Sequence, residues 1–383
     1  MAGKQILVLG GGMGGVVAAN RLRRLLNREH RVILIDRTVW HSLPFTYPWL
    51  MLNWRKTSRV TRDLRSLSRK GIEFKVAEIT RLDFANKRVE LGEERLDYDY
   101  LVVALGVEYG TGGIEGLGSA WTYYTLEGAE GLQEELPRFR EGRIAIAVGG
   151  TPYRAPGAPY EGALLLDYYF ARQKLRQKIE IRVITPEEQP LAFAGPVISE
   201  KIVGLLANRD IILSSRMQIK SVDQGHKRLN FNDGSEVAFD LLIATPVQAA
   251  PRVVRESGLT DRGQWVPVDS ETLETEVEDV YAVGDVCSLP MANGHPLPKI
   301  GSLAHSQAEV AARNIAAALN GDHRQWAFSG HGTLFLENGY NKAAYISGDF
   351  LAEPAPLLTL RPPGVIWHLA KLGLEKQWLW RWF

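Results

Sequence analysis

The chain reads as an α/β protein with two Rossmann-like halves and a C-terminal amphipathic segment. Three observations predict this. An apolar run at the N-terminus flows into a glycine-rich turn and then a helix-forming stretch. A second apolar run, beginning near Arg143, restarts the same strand and turn order. The last 17 residues carry four of the ten tryptophans, interleaved with cations.

Ile6, Leu7, Val8 and Leu9 have the continuous apolar character of a buried parallel strand. Gly10, Gly12 and Gly15 follow in G-x-G-x-x-G spacing, with Gly14 inside the same turn, and Val16 to Leu26 is rich in helix formers. Gly10 permits the tight turn, Gly12 lets a pyrophosphate approach the backbone, and Gly15 lets helix and strand pack closely. A diphosphate would then rest on the helix N-terminus, where free N–H groups and the helix dipole favour an anion. The next strand, Arg31 to Asp36, ends in an acid 21 residues after Gly15, where such folds place the group that binds ribose hydroxyls. An acid rather than an arginine at position 36 argues against a 2′-phosphate. The site is expected to take an adenine dinucleotide, FAD or NAD.

The whole chain sets the bounds. Its 383 residues can bury a large core and are expected to form two or three domains. Hydrophobic residues make up 45% and charged residues 23%, and the formal net charge is +1, which gives no indication of nucleic acid as a partner. No stretch offers 18 uninterrupted apolar residues, so no transmembrane helix is expected. The chain opens almost directly on a buried strand, so no signal peptide is expected either. Cys287 is the single cysteine and forbids an intrachain disulfide. The eight histidines show no metal-ligand spacing.

Between Trp40 and Trp54 lie five aromatics and two prolines. Such a loop either packs under the core or walls a planar ligand, and both readings stand. Lys70 to Phe84 alternates like a strand, Leu91 to Tyr100 supplies a turn, and Tyr100 to Gly106 is another buried strand. In the second half, Ile144 to Gly150 repeats strand and glycine turn. The adjoining stretch, Thr151 to Gly162, holds three prolines where a phosphate cradle needs free N–H groups. A helix from Glu161 to Lys178 and a strand from Ile179 to Thr185 complete a half whose nucleotide site is lost or remodelled. Phe239 to Pro246 and Val280 to Cys287 are read as further strands, the latter ending in Gly284-Asp285. An acid at the C-terminal end of a parallel strand suits a ribityl or ribose hydroxyl. Pro298 to Leu319 is a long Ala-rich helix, and Phe328 to Phe350 a hairpin.

Near the C-terminus Ile366, Leu369 and Leu372 recur at helical spacing, and Lys371, Lys376 and Arg381 alternate with Trp378, Trp380 and Trp382. Aromatics and cations together mark a helix lying in a bilayer interface, against the plainer reading of a terminal helix docked on the core or a second subunit.

Taken together, these residues resemble the two-dinucleotide-binding-domain flavoproteins, in the branch of sulfide:quinone oxidoreductase, flavocytochrome c sulfide dehydrogenase and type II NADH dehydrogenase. The fingerprint at Gly10, Ala104-Leu105-Gly106, Ala244-Thr245-Pro246 and Gly284-Asp285 match in order, as do Phe45 to Trp49 and Tyr153 to Glu161. The resemblance implies non-covalent FAD, held by Gly10, Gly12, Gly14, Gly15, Asp36, Arg37, Ala77, Ala104, Gly106, Gly284, Asp285 and Lys299. It implies an FAD-binding domain of residues 1–112 and 240–322, a second Rossmann-like domain of residues 113–239, and a C-terminal hairpin and membrane-associating helix at 323–383. Quinone would approach from the membrane side near Lys299, with the protein peripheral on the cytoplasmic face and a homodimer admitted.

Two departures bear on the chemistry. Sulfide oxidases carry a redox cysteine where this chain has Ala155, and a partner near Thr333-Leu334-Phe335, where none exists. Persulfide chemistry needs a thiolate or disulfide beside the flavin, so sulfide is not expected to be oxidised by that route. Type II NADH dehydrogenases need a second G-x-G-x-x-G, which is absent. The reading is an FAD oxidoreductase passing electrons from a soluble donor to quinone, with Glu161 and Lys299 as candidate catalytic residues. The alternatives are an NADH:quinone oxidoreductase with an atypical nicotinamide site and a non-catalytic flavin-binding subunit. Glu161 has a plainer role in complementing the helix dipole, and Lys299 one as a solvated loop lysine.

Overall fold

The structure, a computed structural model, describes residues 3–260 and 264–383. The strand Gln5–Leu9 lies at the centre of a five-stranded parallel sheet, between Arg31–Asp36 and Tyr100–Val103, with Glu73–Val76 and Val280–Ala282 at the edges. Leu7 is in register with Ile33 on one side and Leu101 on the other. The chain winds outward from this central strand in one direction and then returns to wind in the other. The C-terminal end of Gln5–Leu9 is therefore the topological switch point where α/β sheets collect ligands.

Both faces of this sheet are covered, which explains the unbroken apolar run. Ile6 and Val8 pack with the helix Met13–Leu25, whereas Leu7 and Leu9 pack with Leu82 and Val89 of an antiparallel three-stranded meander. A second parallel sheet repeats the plan in the order Ile211–Ser214, Ile179–Ile184, Gly142–Val148, Leu241–Thr245. Its Ile144, Ile146 and Val148 join the core that also holds the helix Ala158–Arg172, while Ala145 and Ala147 meet Leu229 and Phe231 of a second meander. The two parallel sheets are the α/β architecture expected from the sequence.

Several boundaries differ from the sequence reading. Lys70 to Phe84 is not one strand. Glu73–Val76 ends the first sheet, Ala77 donates to the Asp36 carbonyl, and Arg81–Asp83 belongs to the meander. The expected turn from Leu91 to Tyr100 shrinks to Gly92 and Glu93, because Glu94–Asp97 pairs back on Arg88–Leu91. The hairpin is present as His331–Glu337 and Ala343–Asp349, but a third strand, Leu357–Gly364, joins it. That strand contains Pro362 and Pro363, which are tolerated because it is an edge strand.

The last helix, Val365–Arg381, buries one of its three cations, while Lys376 stays exposed. Lys371 and Glu375 are buried along with Trp378, Leu379 and Trp382, while Val365, Ile366, Leu369 and Trp380 face outward, Trp380 with 83% of its surface exposed. Charged groups go inside here because each finds a partner of opposite sign, Lys371 the buried Glu161 and Glu375 the half-buried Arg55. Among the described residues no helix is long and apolar enough to cross a membrane.

Candidate active site

A continuous cavity of about 1940 Å³ begins at the glycine turn and ends under the last helix. Its volume is roughly twice the upper range for one drug-sized ligand, which leaves room for a dinucleotide and a second molecule.

The dinucleotide end is set by the turn itself. Gly10 has φ +102°, and a Cβ there would meet the Ala104 carbonyl oxygen at 2.4 Å. A Cβ on Gly15 would lie 1.8 Å from the Gly10 carbonyl oxygen, so helix and strand touch as the spacing requires. Gly12 differs, since a Cβ there would have no neighbour within 4 Å. It stands at the N-terminus of Met13–Leu25, which has no side-chain cap, and it lines the cavity. The first-turn N–H groups thus lack a protein acceptor from a capping side chain, which fits a diphosphate. Asp36 accepts from Gly11 N at 2.6 Å and Thr38 N at 2.8 Å, and its carboxylate keeps lone pairs for a ribose. Burial pushes its pKa up, against the pull of those two N–H groups. Arg37, Ala77, Gly14, Ala104 and Gly106 line the same cavity.

Half of the aromatic loop walls this cavity and half packs in the core. Trp40, Phe45, Tyr47 and Pro48 line it, while Trp49, Leu50, Met51 and Leu52 are buried. The packed-loop reading therefore holds for the second group, while the first group lines the cavity.

Gly284 and Asp285 follow the edge strand Val280–Ala282 into the cavity. Gly284 donates to Gln307 Oε1 at 2.7 Å. Asp285 is pushed up by burial, and Arg154 and Lys299 pull against that. Lys299 is not a solvated loop lysine. Its ammonium donates to the Asp285 carbonyl at 2.6 Å and the Cys287 carbonyl at 2.9 Å, and sits 3.6 Å from the Trp265 ring centroid. Burial lowers its pKa to about 8. Those contacts shape the Asp285 loop, and Lys299 also lines the cavity. Burial pushes the Cys287 thiol up to about 12, so it is no ready nucleophile.

At the far end Glu161, in the first turn of Ala158–Arg172, is buried against Lys371, which donates to Glu161 Oε1. Burial drives the Glu161 pKa to about 7, and Lys371 opposes the rise without cancelling it. Two more buried carboxylates, each with a partner, flank this one. Glu375 receives Arg55 through bonds of 2.8, 3.1 and 2.8 Å, and Glu337 meets His368 Nδ1 at 2.9 Å. The Arg55 guanidinium and the Lys371 ammonium both lie 4.7 Å from the Trp49 ring centroid. The sequence reading found Glu161 and missed Lys371, Glu375, Arg55, Glu337 and His368. No spacing rule links residues some 200 positions apart, and cations in a Trp-rich tail read as surface.

The proline-rich turn of the second half is braced from within. Glu187 lies three residues beyond the strand Ile179–Ile184. Its Oε2 accepts from Tyr153 at 2.8 Å, Tyr160 at 3.0 Å and Thr185 at 3.0 Å. Tyr153 and Tyr160 are buried and come from the proline-rich turn and the start of the helix. One oxygen of Glu187 is thus held by two tyrosines and a threonine beside the proline-rich turn. Nearby, Gly157 is packed against Leu334 and Leu336, so the Ala155 loop and the hairpin do meet, without a thiol on either.

Comparison with known proteins agrees with this geometry. The family described as pyridine nucleotide-disulphide oxidoreductase matches residues 4–309. The sulfide-quinone reductase of Aquifex aeolicus is 25% identical over 396 residues, spanning 99% of this chain and 91% of that protein. The crystal structure of the sulfide:quinone oxidoreductase from Aquifex aeolicus superposes with a TM-score of 0.89 at 24% identity, covering 99% of this chain and 91% of that one. The type II NADH:quinone oxidoreductase of Staphylococcus haemolyticus is 27% identical over 354 residues, 83% of each protein. With the glycine turn, Asp36 and Asp285 in one cavity, the chain belongs to the pyridine nucleotide-disulphide oxidoreductase family and is an FAD-dependent oxidoreductase.

Proposed function

We propose that this protein takes electrons from a soluble donor onto FAD and delivers them to a quinone at a membrane surface, without a redox cysteine. The observation that carries the reading is the cavity itself, which joins the dinucleotide end at Gly12 to the buried Glu161–Lys371 pair beneath the C-terminal helix. FAD, when bound, supplies two-electron redox chemistry. Gly10, Gly12, Gly14, Gly15, Asp36, Arg37 and Ala77 would hold its adenosine diphosphate half, and Ala104, Gly106, Gly284 and Asp285 the remainder. Lys299 fixes the loop that carries Asp285.

Reduction of a quinone to a quinol consumes two protons. Glu161, near pH 7 in its titration and lining the cavity, holds a proton at its carboxyl where an acceptor would need one. Lys371 keeps that carboxyl in place. The outward Val365, Ile366, Leu369 and Trp380 give the last helix an apolar face of the kind that settles into a bilayer interface. Relatives named as quinone oxidoreductases in both the sulfide and the NADH groups support the acceptor. The NADH-accepting alternative is disfavoured by Pro152, Pro156 and Pro159, which stand where a phosphate cradle needs free N–H groups.

Anaerobic stopped-flow spectroscopy tests the reading. Dithionite-reduced protein mixed with a short-chain ubiquinone analogue should regain oxidised flavin absorbance at catalytic rates, and NADH should not bleach the oxidised flavin. A reduced flavin that ignores quinone, or one that NADH bleaches rapidly, would overturn it.

A further inference from the structure

We infer that the docking face of this protein selects anionic phospholipid, through a collar of Arg24, Lys70, Lys376 and Arg381 around the end of the last helix. The inference deepens the proposed function by naming the lipid class, and rests on the reading of that helix as the membrane face.

The outward side of Val365–Arg381 carries Ile366, Leu369, Gly373, Lys376 and Trp380, at alternating spacings of three and four that put them on one face. Lys376 is the single charge among the exposed residues of this helix, and it stands one turn before Trp380. Three more cations gather at the same end. Arg24 and Arg381 lie 6.0 and 5.2 Å from the centroid of the Trp382 ring, and Lys70 donates to the Arg381 carbonyl at 3.1 Å. Arg24 comes from the helix Met13–Leu25, whose exposed Leu25 adds apolar surface beside it. Lys70 closes the short helix Leu64–Lys70. Three separate segments thus bring positive charge to one place.

That charge is not answered from within. Among the described residues none of the four has a carboxylate within ion-pair distance, and the acids of the neighbouring helices are engaged, Glu309 by Arg21 and Arg313, Glu375 by Arg55. Burial lowers the Lys70 pKa, and Arg24 beside it lowers it further. The carboxylate of Phe383, set against four cations, still leaves a positive surplus. Like charges held together cost stability until something outside offsets them. An anionic bilayer complements this end in two ways. Ile366, Leu369 and Trp380 can enter its interface while the cations remain at the level of the headgroups. A soluble anion would meet the cations and leave those apolar side chains in water.

Flotation of the flavin-loaded protein with vesicles of phosphatidylcholine, or of an equimolar mixture with phosphatidylglycerol, tests the lipid class. Each cation at an anionic surface strengthens partitioning about fivefold, so the mixed vesicles should bind at least about tenfold more tightly. In about 1 M NaCl, where the Debye length is about 3 Å, the preference should vanish. R24Q/K376Q should lose about tenfold on mixed vesicles, with phosphatidylcholine binding, flavin content and melting temperature unchanged. R24K/K376R should bind as the native protein does. Should the Arg24 change disturb the packing on Trp382, K376Q alone carries the same test, with a loss of about fivefold. Equal binding to both vesicles, or a neutralised variant that binds mixed vesicles like the native protein, would overturn the lipid class and leave the membrane reading standing. Binding to neither would overturn both.

Discussion

Trp378 on the last helix donates its indole N–H to His41 Nε2 at 3.0 Å, and the other nitrogen of that ring meets the Gly11 carbonyl at 2.8 Å. An indole can only donate, so Nε2 is bare and Nδ1 carries the proton to Gly11. One neutral histidine therefore ties the C-terminal helix to the glycine turn.

Trp378→Phe removes the donor and leaves a buried acceptor unmet. A loss of about 1–3 kcal/mol in stability is expected, together with several-fold weaker FAD retention. Thermal melts and flavin release on dilution would check both. Unchanged retention would mean that the histidine bridge does not support the turn.

Burial holds the His41 pKa at about 4, below its ordinary 6.5, although the Gly11 carbonyl pulls the other way. The unfolded chain takes up this proton first as pH falls. The resulting stability is fully present above about pH 6.5 and is lost as pH drops toward 4, about 3 kcal/mol in all. H41Q should flatten the melting-temperature profile between those values; a profile parallel to that of the native protein would contradict the assignment.

Gly12 and Gly15 should separate cofactor binding from folding. A side chain at Gly12 meets no protein atom but enters the cavity, so G12V should fold and remain colourless. A side chain at Gly15 strikes the Gly10 backbone, so even G15A should lose the fold as well as the flavin. Circular dichroism and flavin absorbance distinguish the two outcomes. A yellow G12V would sink the site.

Breaking the Glu161–Lys371 pair on one side leaves a buried charge alone. E161Q is expected to cost about 3–5 kcal/mol. The double variant E161Q/K371M should cost clearly less than the sum of the two single changes, since neither charge is then stranded. Additive losses in urea titrations would show that the pair is not coupled.

The outward face of the last helix predicts a separable membrane function. I366E combined with L369E should abolish flotation with phospholipid vesicles while the melting temperature and flavin content stay as they were, because both side chains are exposed. Retained flotation would argue against this face as the anchor.

Much of the dinucleotide end was legible from residue order. Its parts lie on consecutive elements, strand, glycine turn, helix, strand, acid, and hydrophobic period together with glycine spacing reports such local order. Gly10, Gly12, Gly15 and Asp36 could be placed from sequence for that reason, as could the loss of the twin turn after Val148. The aromatic loop was half legible. Its composition announced apolar contact, but only the packed chain shows Tyr47 on the cavity and Trp49 in the core.

The buried charges of the last helix were not legible, and the reason is general. A single-sequence pattern assigns cations to water, because an unpaired buried charge is prohibitively costly. Whether a partner exists is a property of distant chain segments. Glu161 lies 210 residues before Lys371, and Arg55 lies 320 before Glu375. Composition and local order thus determined the α/β class, the glycine turn and the absence of a cysteine pair. Tertiary structure alone decided which charges go inside, that Glu187 accepts from two tyrosines, and that Lys299 is held on the Asp285 loop, because those outcomes depend on pairing energies between groups that sequence distance does not reveal.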